Sequence, residues 1–206
     1  CRAVAEISGD SSARVVLLRG EGKAFAAGGD LEFIEARLSD TPERNRRIMR
    51  DYYDLFLSLT KLRVPTIAVL HGAAIGAGLC LALACDLRFA APDAKLALNF
   101  VRLGLHPGMG ATWLLPRLIG PARAAELLLT GRTISGNEAC NLGVVNQLVS
   151  KEQVLDHARA VASEIAQNAP LAVARTKESL GWSGARSLEQ ALDAEATAQA
   201  LDYRTA

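Results

Sequence analysis

The 206-residue chain predicts an α/β domain whose C-terminal part is helical, and three observations carry that prediction. Short apolar runs rich in β-branched residues, at 14–18 and 66–70, have the length and two-sided hydrophobicity of strands buried in a parallel sheet. The second run leads directly into a glycine-rich turn and a small, wholly apolar helix. In the last third the apolar spacing is helical almost throughout, so strands alternating with helices give way to helices alone.

Taken in order, residues 1–6 read as the middle of a helix and lack the basic, apolar and small-residue sections of a signal peptide, so the natural chain is expected to start upstream. Residues 14–18 form a buried strand, ended by Gly20 and Gly22. Residues 23–31 are a small-residue loop closed by Asp30, which is suited to cap a helix. Thr41 followed by Pro42 opens a clearer helix. Its apolar positions Ile48, Tyr52, Leu55, Phe56 and Leu59 keep helical spacing, which predicts one face packed inward. Arg44, Arg46, Arg47 and Arg50 lie mostly elsewhere on it, as a solvated face or as a means of steering an anionic ligand.

Pro65 ends that pattern, and 66–70 reads as a central strand. Residues 71–78 form the glycine-rich turn and 79–84 the buried helix after it. Short strands at 86–90 and 95–98 are parted by a turn at Pro92 and Asp93. Breaks at Pro107-Gly108-Met109-Gly110 and at Gly120-Pro121 precede helices at 113–119 and 122–129. Beyond them only 144–149 interrupts the helical pattern. Ser135 with Glu138, and Ser150 with Gln153, have capping-box spacing. Val154, Leu155, Ala158, Val161, Ala162 and Ile165 make one apolar stripe, Pro170 starts a further helix, and 187–201 is another. With no repeat and no long linker, residues 1–150 read as the core and 151–206 as a helical segment of the same domain.

Composition narrows the function classes. Lys and Arg (23) nearly cancel Asp and Glu (22), which leaves no basic footprint for nucleic acid. Aromatic residues are only 5%, too few for the stacking platforms of a single-strand binder. No apolar run is long enough to span a membrane. Cysteines at 1, 80, 85 and 140 form no C-x-x-C pair, which argues against zinc or a disulfide framework and for a reducing, cytoplasmic setting.

The glycine-rich turn carries the chemistry. Gly72, Gly76 and Gly78 do not match the G-x-G-x-x-G spacing of a dinucleotide site, and no Gly-Lys-Ser/Thr follows for a P-loop. What remains is a strand feeding small residues at a helix N-terminus, where backbone N–H groups are unsatisfied and favour negative charge. A carbonyl becoming an oxyanion suits such a site, and the loop Ala27-Gly28-Gly29-Asp30 can supply a second N–H.

Together, residues 23–31 (Lys23-Ala24-Phe25 leading to Gly28-Gly29-Asp30-Leu31) and residues 67–86 (strand, Gly72, Gly76-Ala77-Gly78, closing in Cys85-Asp86) resemble the two motifs of the crotonase, or enoyl-CoA hydratase/isomerase, superfamily. The similarity continues through 103–110, 129–135, Glu138-Ala139 and Leu142-Gly143-Val144-Val145, nearly the whole chain. The resemblance implies an α/β fold, a spiral of ββα/βαβ units. It also implies a C-terminal helical layer that assembles a homotrimer or hexamer, and terminal segments beyond this stretch of sequence. The oxyanion hole would be the N–H groups of Gly29 and Ala77, gripping the thioester oxygen of an acyl-CoA. Ala27, Gly29, Asp30, Leu31 and Glu32 would approach coenzyme A, with Ala77 and Phe100 completing the binding set. Coenzyme A is then part of the substrate, and neither a separate cofactor nor a metal is implied.

Hydratases of this family use two glutamates, whose positions are occupied here by Cys80 and Phe100. Neither can act as a carboxylate, so classical hydration is not expected. His106 could move a proton near neutral pH or be an ordinary loop histidine. Cys80 could be a thiolate at the helix N-terminus or a small buried hydrophobe. Asp30 is expected to cap, and Asp86, Glu126 and Glu138 to be structural. Three functions remain open: a hydratase- or isomerase-like enzyme with a relocated acid, a decarboxylase of a malonyl- or glutaconyl-type thioester, and a non-catalytic acyl-CoA binder.

Overall fold

Residues 66–70 are apolar at every position, and the chain satisfies both faces by placing them at the centre of a parallel sheet. The computed structural model describes residues 2–182 and 185–203, excepting the side chains of Leu31 and Trp182. In it β1 (Val16–Arg19), β2 (Thr66–Leu70), β4 (Leu87–Ala90) and β7 (Gln147–Leu148) form a parallel sheet in that order. Side chains alternate across β2: Ile67 and Val69 join Phe89 beneath α8 (Val154–Ala166), while Ala68 and Leu70 face the main core. The stripe predicted on α8 covers this sheet, with Val154 and Ala158 buried and Leu155, Val161, Ala162 and Ile165 packed around them.

A second, smaller sheet orders β3 (Ala74–Ile75), β5 (Lys95–Ala97) and β6 (Thr133–Ser135), with β3 parallel and β6 antiparallel to β5. Neither β3 nor β6 was expected. Each is too short to show a period, and in β6 only Ile134 is buried. The predicted 144–149 stretch contracts to two strand residues.

The remaining elements are α1 (Arg2–Gly9), α2 (Leu31–Leu38), α3 (Pro42–Phe56), α4 (Ala77–Leu83), α5 (Ala111–Ile119), α6 (Pro121–Thr130), α7 (Gly136–Leu142), α9 (Pro170–Trp182) and α10 (Leu188–Asp202). Cys1 of the predicted first helix lies outside the described residues. Several caps form as the sequence implies: Asp30 accepts from Glu32 N at 2.9 Å, Thr41 from Arg44 N at 3.3 Å, and Ser135 from Glu138 N at 3.2 Å. Ser150 does not cap α8, because residues 151–153 make a turn first. Its hydroxyl meets the Gln153 side chain at 3.1 Å instead.

The prediction of an inward face on the helix opened by Thr41 needs a larger correction. No residue of α3 is buried, and Leu55 and Phe56 are 50% and 42% exposed. Ile48 and Tyr52 are half-buried, Tyr52 against the core, and Leu59, past the end of α3, is buried in it, so the predicted face is inward only in part. Arg44, Arg46 and Arg50 pair with Asp40, Glu43 and Asp54 along the exposed surface, each pair worth about 0–1 kcal/mol.

Helix α4 is held at its far end by Arg88. This buried guanidinium donates Nε to Val144 O at 2.8 Å and Nη1 to the carbonyls of Cys85 and Ala82. Positive charge at a helix C-terminus is favourable, and burial lowers the Arg88 pKa without removing its partners. The last helices attach through Lys177, which reaches Asp86 and Val64 O, and through an Arg175–Asp202 pair that ties α9 to α10. Among the described residues no helix is long and apolar enough to cross a membrane.

Candidate active site

Two small-residue segments meet at the N-terminus of α4. The 26–30 loop runs beside β3, where Ala26 bridges Ala74 in parallel and Ile75 N donates to Ala26 O at 3.0 Å. Gly76 then turns the chain at φ 54° and ψ −118°, a region only glycine enters freely, while its N–H reaches Ala97 O at 2.7 Å. Gly78 is needed for closeness: a Cβ there would stand 2.6 Å from the Cβ and the carbonyl oxygen of Ala26.

Ala77 is thereby the first residue of α4, and its N–H donates to no described residue. The same holds for Gly29, which is exposed, whereas Ala77 is half-buried. Asp30 caps α2, as expected, so its Oδ1 is committed to Glu32 N. Ala27 and Glu32 are exposed beside it. The backbone of Leu31 begins α2, and its side chain lies outside the described residues.

Between these segments and α3 lies a pocket of about 380 Å³, lined by Ala26, Gly28, Asp30, Ala77, Gly78, Leu81 and the rings of Phe33, Tyr52 and Phe56. The rings form a continuous wall: Phe33 stacks on Tyr52 at 5.1 Å between centroids, and Tyr52 meets Phe56 at 4.5 Å. Apart from Asp30 and the Tyr52 hydroxyl the lining side chains are apolar, and the volume is that of a small-molecule site.

The positions that resemblance associates with acid–base chemistry are apolar in character. Cys80 is fully buried, its thiol donates to Gly108 O at 3.6 Å, and burial pushes its pKa up to about 12. This resolves the choice left by the sequence: one turn into α4 the thiol is desolvated, not activated. Phe100, in a 3-10 turn at Asn99–Leu103, packs against the core with its ring edge 4.0 Å from where a Cβ on Gly76 would stand. His106 is exposed and is not among the pocket's lining residues.

The other acidic candidates are engaged structurally. Asp86 accepts from the amide and hydroxyl of Thr66 at 2.7 and 2.8 Å and pairs with Lys177. Glu126 and Glu138 both grip Arg132, at 2.8 and 2.6 Å. Among the described residues no group of three His, Cys, Asp or Glu side chains could hold a metal ion.

The motifs did not point to the aromatic wall or to Tyr53. Four of the ten aromatic residues, Phe33, Tyr52, Tyr53 and Phe56, gather beside one pocket in a chain otherwise poor in rings. That clustering was the available signal.

Comparison with known proteins extends these observations. The sequence profile of the family described as "Enoyl-CoA hydratase/isomerase" matches residues 1–203. A "Probable enoyl-CoA hydratase" of Mycobacterium bovis is 40% identical over 204 residues, covering 96% of this chain and 71% of its own. One of Bacillus subtilis with the same description is 38% identical over 193 residues, covering 91% and 72%. The crystal structure of an enoyl-CoA hydratase from Bacillus anthracis superposes with a TM-score of 0.88 at 38% identity, over 96% of this chain and 76% of that one. An enoyl-CoA hydratase/isomerase from Cupriavidus metallidurans superposes with a TM-score of 0.92 at 31% identity, over 98% and 76%.

Proposed function

Because the chain belongs to the enoyl-CoA hydratase/isomerase family, we propose that it binds an acyl-CoA thioester between the 26–30 loop and α4 and transforms it through an enolate held by the N–H groups of Gly29 and Ala77. What supports this is that Ala77, with an uncommitted N–H, lines the apolar pocket, and that Gly29, whose N–H is likewise uncommitted, lies in the chain between two other lining residues, Gly28 and Asp30. Each donor lowers the barrier by about 3–4 kcal/mol when charge develops on the thioester oxygen. Ala27, Asp30, Leu31 and Glu32 border the coenzyme A path, and Phe100 walls the acyl end.

With Cys80 and Phe100 at the glutamate positions, water addition lacks its usual acid and base, and crotonyl-CoA is hydrated poorly. The same apolar end favours a second reading, decarboxylation of a malonyl- or glutaconyl-type thioester. Loss of CO2 needs little beyond a stabilised enolate and proceeds well where the departing carboxylate is not solvated. Incubating the purified protein with a panel of acyl-CoAs and following mass changes of +18 or −44 separates the readings. Micromolar binding without turnover on any member would leave only a binding protein, and rapid crotonyl-CoA hydration would overturn the argument from the missing glutamates.

We further propose a cytoplasmic homotrimer or hexamer, with the helical 151–206 segment at its interface. Leu180, Leu188, Leu192 and Leu201 of α9 and α10 are exposed, which supports burial between subunits. Light scattering tests the assembly.

A further inference from the structure

With Cys80 desolvated, Phe100 apolar and His106 away from the pocket, the reacting end needs another source of protons. The Tyr52 hydroxyl lines the pocket, and a second uncommitted hydroxyl, that of Tyr53 on α3, lies beside Cys80. It lies against Gly108, so close that a Cβ on that glycine would stand 2.4 Å from Oη. Gly108 O is also the acceptor for the Cys80 thiol, which places Tyr53 Oη and Cys80 Sγ on the same residue. Cys80 follows Ala77 by three positions and so shares its face of α4, one turn on. The hydroxyl therefore stands over the position where relatives of the resembled type carry their first glutamate. It makes no hydrogen bond to any described residue. The Tyr52 ring packs edge-on to the Tyr53 ring, 6.4 Å between centroids.

Building on the enolate reading above, we propose that Tyr53 is the proton donor to the α-carbon of the bound thioester. In the decarboxylating case the bond from Cα to the carboxylate breaks, CO2 departs, and its electron pair forms the enolate held by Gly29 and Ala77. The Tyr53 O–H bond then breaks, its proton forms the new Cα–H bond from one face, and the thioester C=O is restored. Water reprotonates the phenolate, so no oxidant or reductant is required. Burial raises the Tyr53 pKa first, with Cys80 and then Tyr52 adding to it, so the hydroxyl keeps its proton at neutral pH until an enolate is present to take it.

The test uses the full chain with ethylmalonyl-CoA in deuterated water and reads both turnover and the configuration of deuterium in the butyryl-CoA formed. The wild-type protein gives one enantiomer. Tyr53→Phe binds ethylmalonyl-CoA within threefold of wild type, turns over about 100-fold more slowly, and yields racemic label because solvent protonates the enolate. Gly108→Ala, which displaces the hydroxyl while keeping the tyrosine, has the same stereochemical effect and covers the case in which Tyr53→Phe fails to fold. A wild type that decarboxylates with racemic label, or binds without decarboxylating, overturns the assignment of Tyr53 and leaves thioester binding intact. So does a Tyr53→Phe product of single configuration. A wild type that binds no acyl-CoA overturns both this proposal and the reading it rests on.

Discussion

Replacing Ala77 by proline removes one hydrogen-bond donor and sets the ring Cδ in its place, with little effect on the fold. Position 77 is the first residue of α4, where proline is favoured because its fixed φ suits the helix and its missing N–H has no intrahelical acceptor. The lost N–H serves no described residue. Gly76 precedes it at φ 54° and ψ −118°, the mirror image of the extended region that a residue before proline must adopt, and glycine tolerates it. The bonds Gly76 N to Ala97 O and Cys80 N to Gly76 O, at 2.7 and 3.1 Å, remain. The structural cost is then within about 1 kcal/mol, a shift of no more than about 4 °C in melting temperature for a chain of this size. If Ala77 N–H is the oxyanion donor proposed above, the chemical cost is one of two such donors, about 2.7–4 kcal/mol, which lowers kcat by about 100- to 1,000-fold. Turnover of ethylmalonyl-CoA by mass spectrometry measures kcat, and affinity for an S-butyl-CoA thioether, which has no carbonyl, reports whether the rest of the pocket survives. Unchanged kcat in a folded variant would refute the role of the amide. A melting temperature lowered by 10 °C would show that the N–H serves the fold instead.

Other expectations follow from the same contacts. Gly78→Ala brings a Cβ to 2.6 Å from Ala26, and the forced separation of the loop from α4 costs about 1–3 kcal/mol, read from urea denaturation, and weakens thioester binding. Lys177→Met removes the 2.8 Å contact to Asp86 and the bond to Val64 O, and lowers stability by about 2 kcal/mol in the same assay; Asp86 keeps its two bonds to Thr66, which sets the loss below that for a fully buried pair. The buried thiols of Cys80 and Cys85, pushed up to about 12 and about 11, give stability a pH dependence. Above pH 9 the unfolded thiols ionise while the folded ones do not, so the unfolded state binds fewer protons and stability falls between pH 9 and 11, by up to about 1.4 kcal/mol per unit per thiol. Denaturation of Cys80→Ala at pH 8 and pH 10.5 should show a shallower fall than wild type, and an equal fall would exclude the thiol as its source.

The parts of this molecule most readable from sequence are those where one physical requirement selects one residue pattern. Residues 66–70 could only be an interior strand, Thr41-Pro42 and Asp30 could only be starts of helices, and the stripe on 154–165 had the width of a helix face covering a sheet. The close approach of backbone at Gly78 likewise left its mark as a run of small residues. Where two environments share a pattern, sequence reasoning failed. Tyr52 and Phe56 have the spacing of a core-facing stripe, yet they face a cavity, because helical periodicity records which side is apolar and not what it meets. Tyr53 belonged to no stripe or motif; its significance comes from Gly108, more than fifty residues away in sequence. The strands β3 and β6, two and three residues long, are defined by their partners rather than by any period of their own.

The pinning of α4 by Arg88 also bears on how this site can be altered. Because carbonyls of Val144, Cys85 and Ala82 hold the guanidinium, the helix is anchored from its C-terminal end, independently of the side chains that face the pocket. Donors made of backbone survive every side-chain exchange except proline, so exchanges at 80, 100 and 53 leave in place the two N–H groups proposed to hold the oxyanion. Redesign of this chain can therefore be divided cleanly. On the proposed reading, changes near Arg88 would govern whether an enolate can form at all, and changes at positions 53, 80 and 100 would govern what becomes of it.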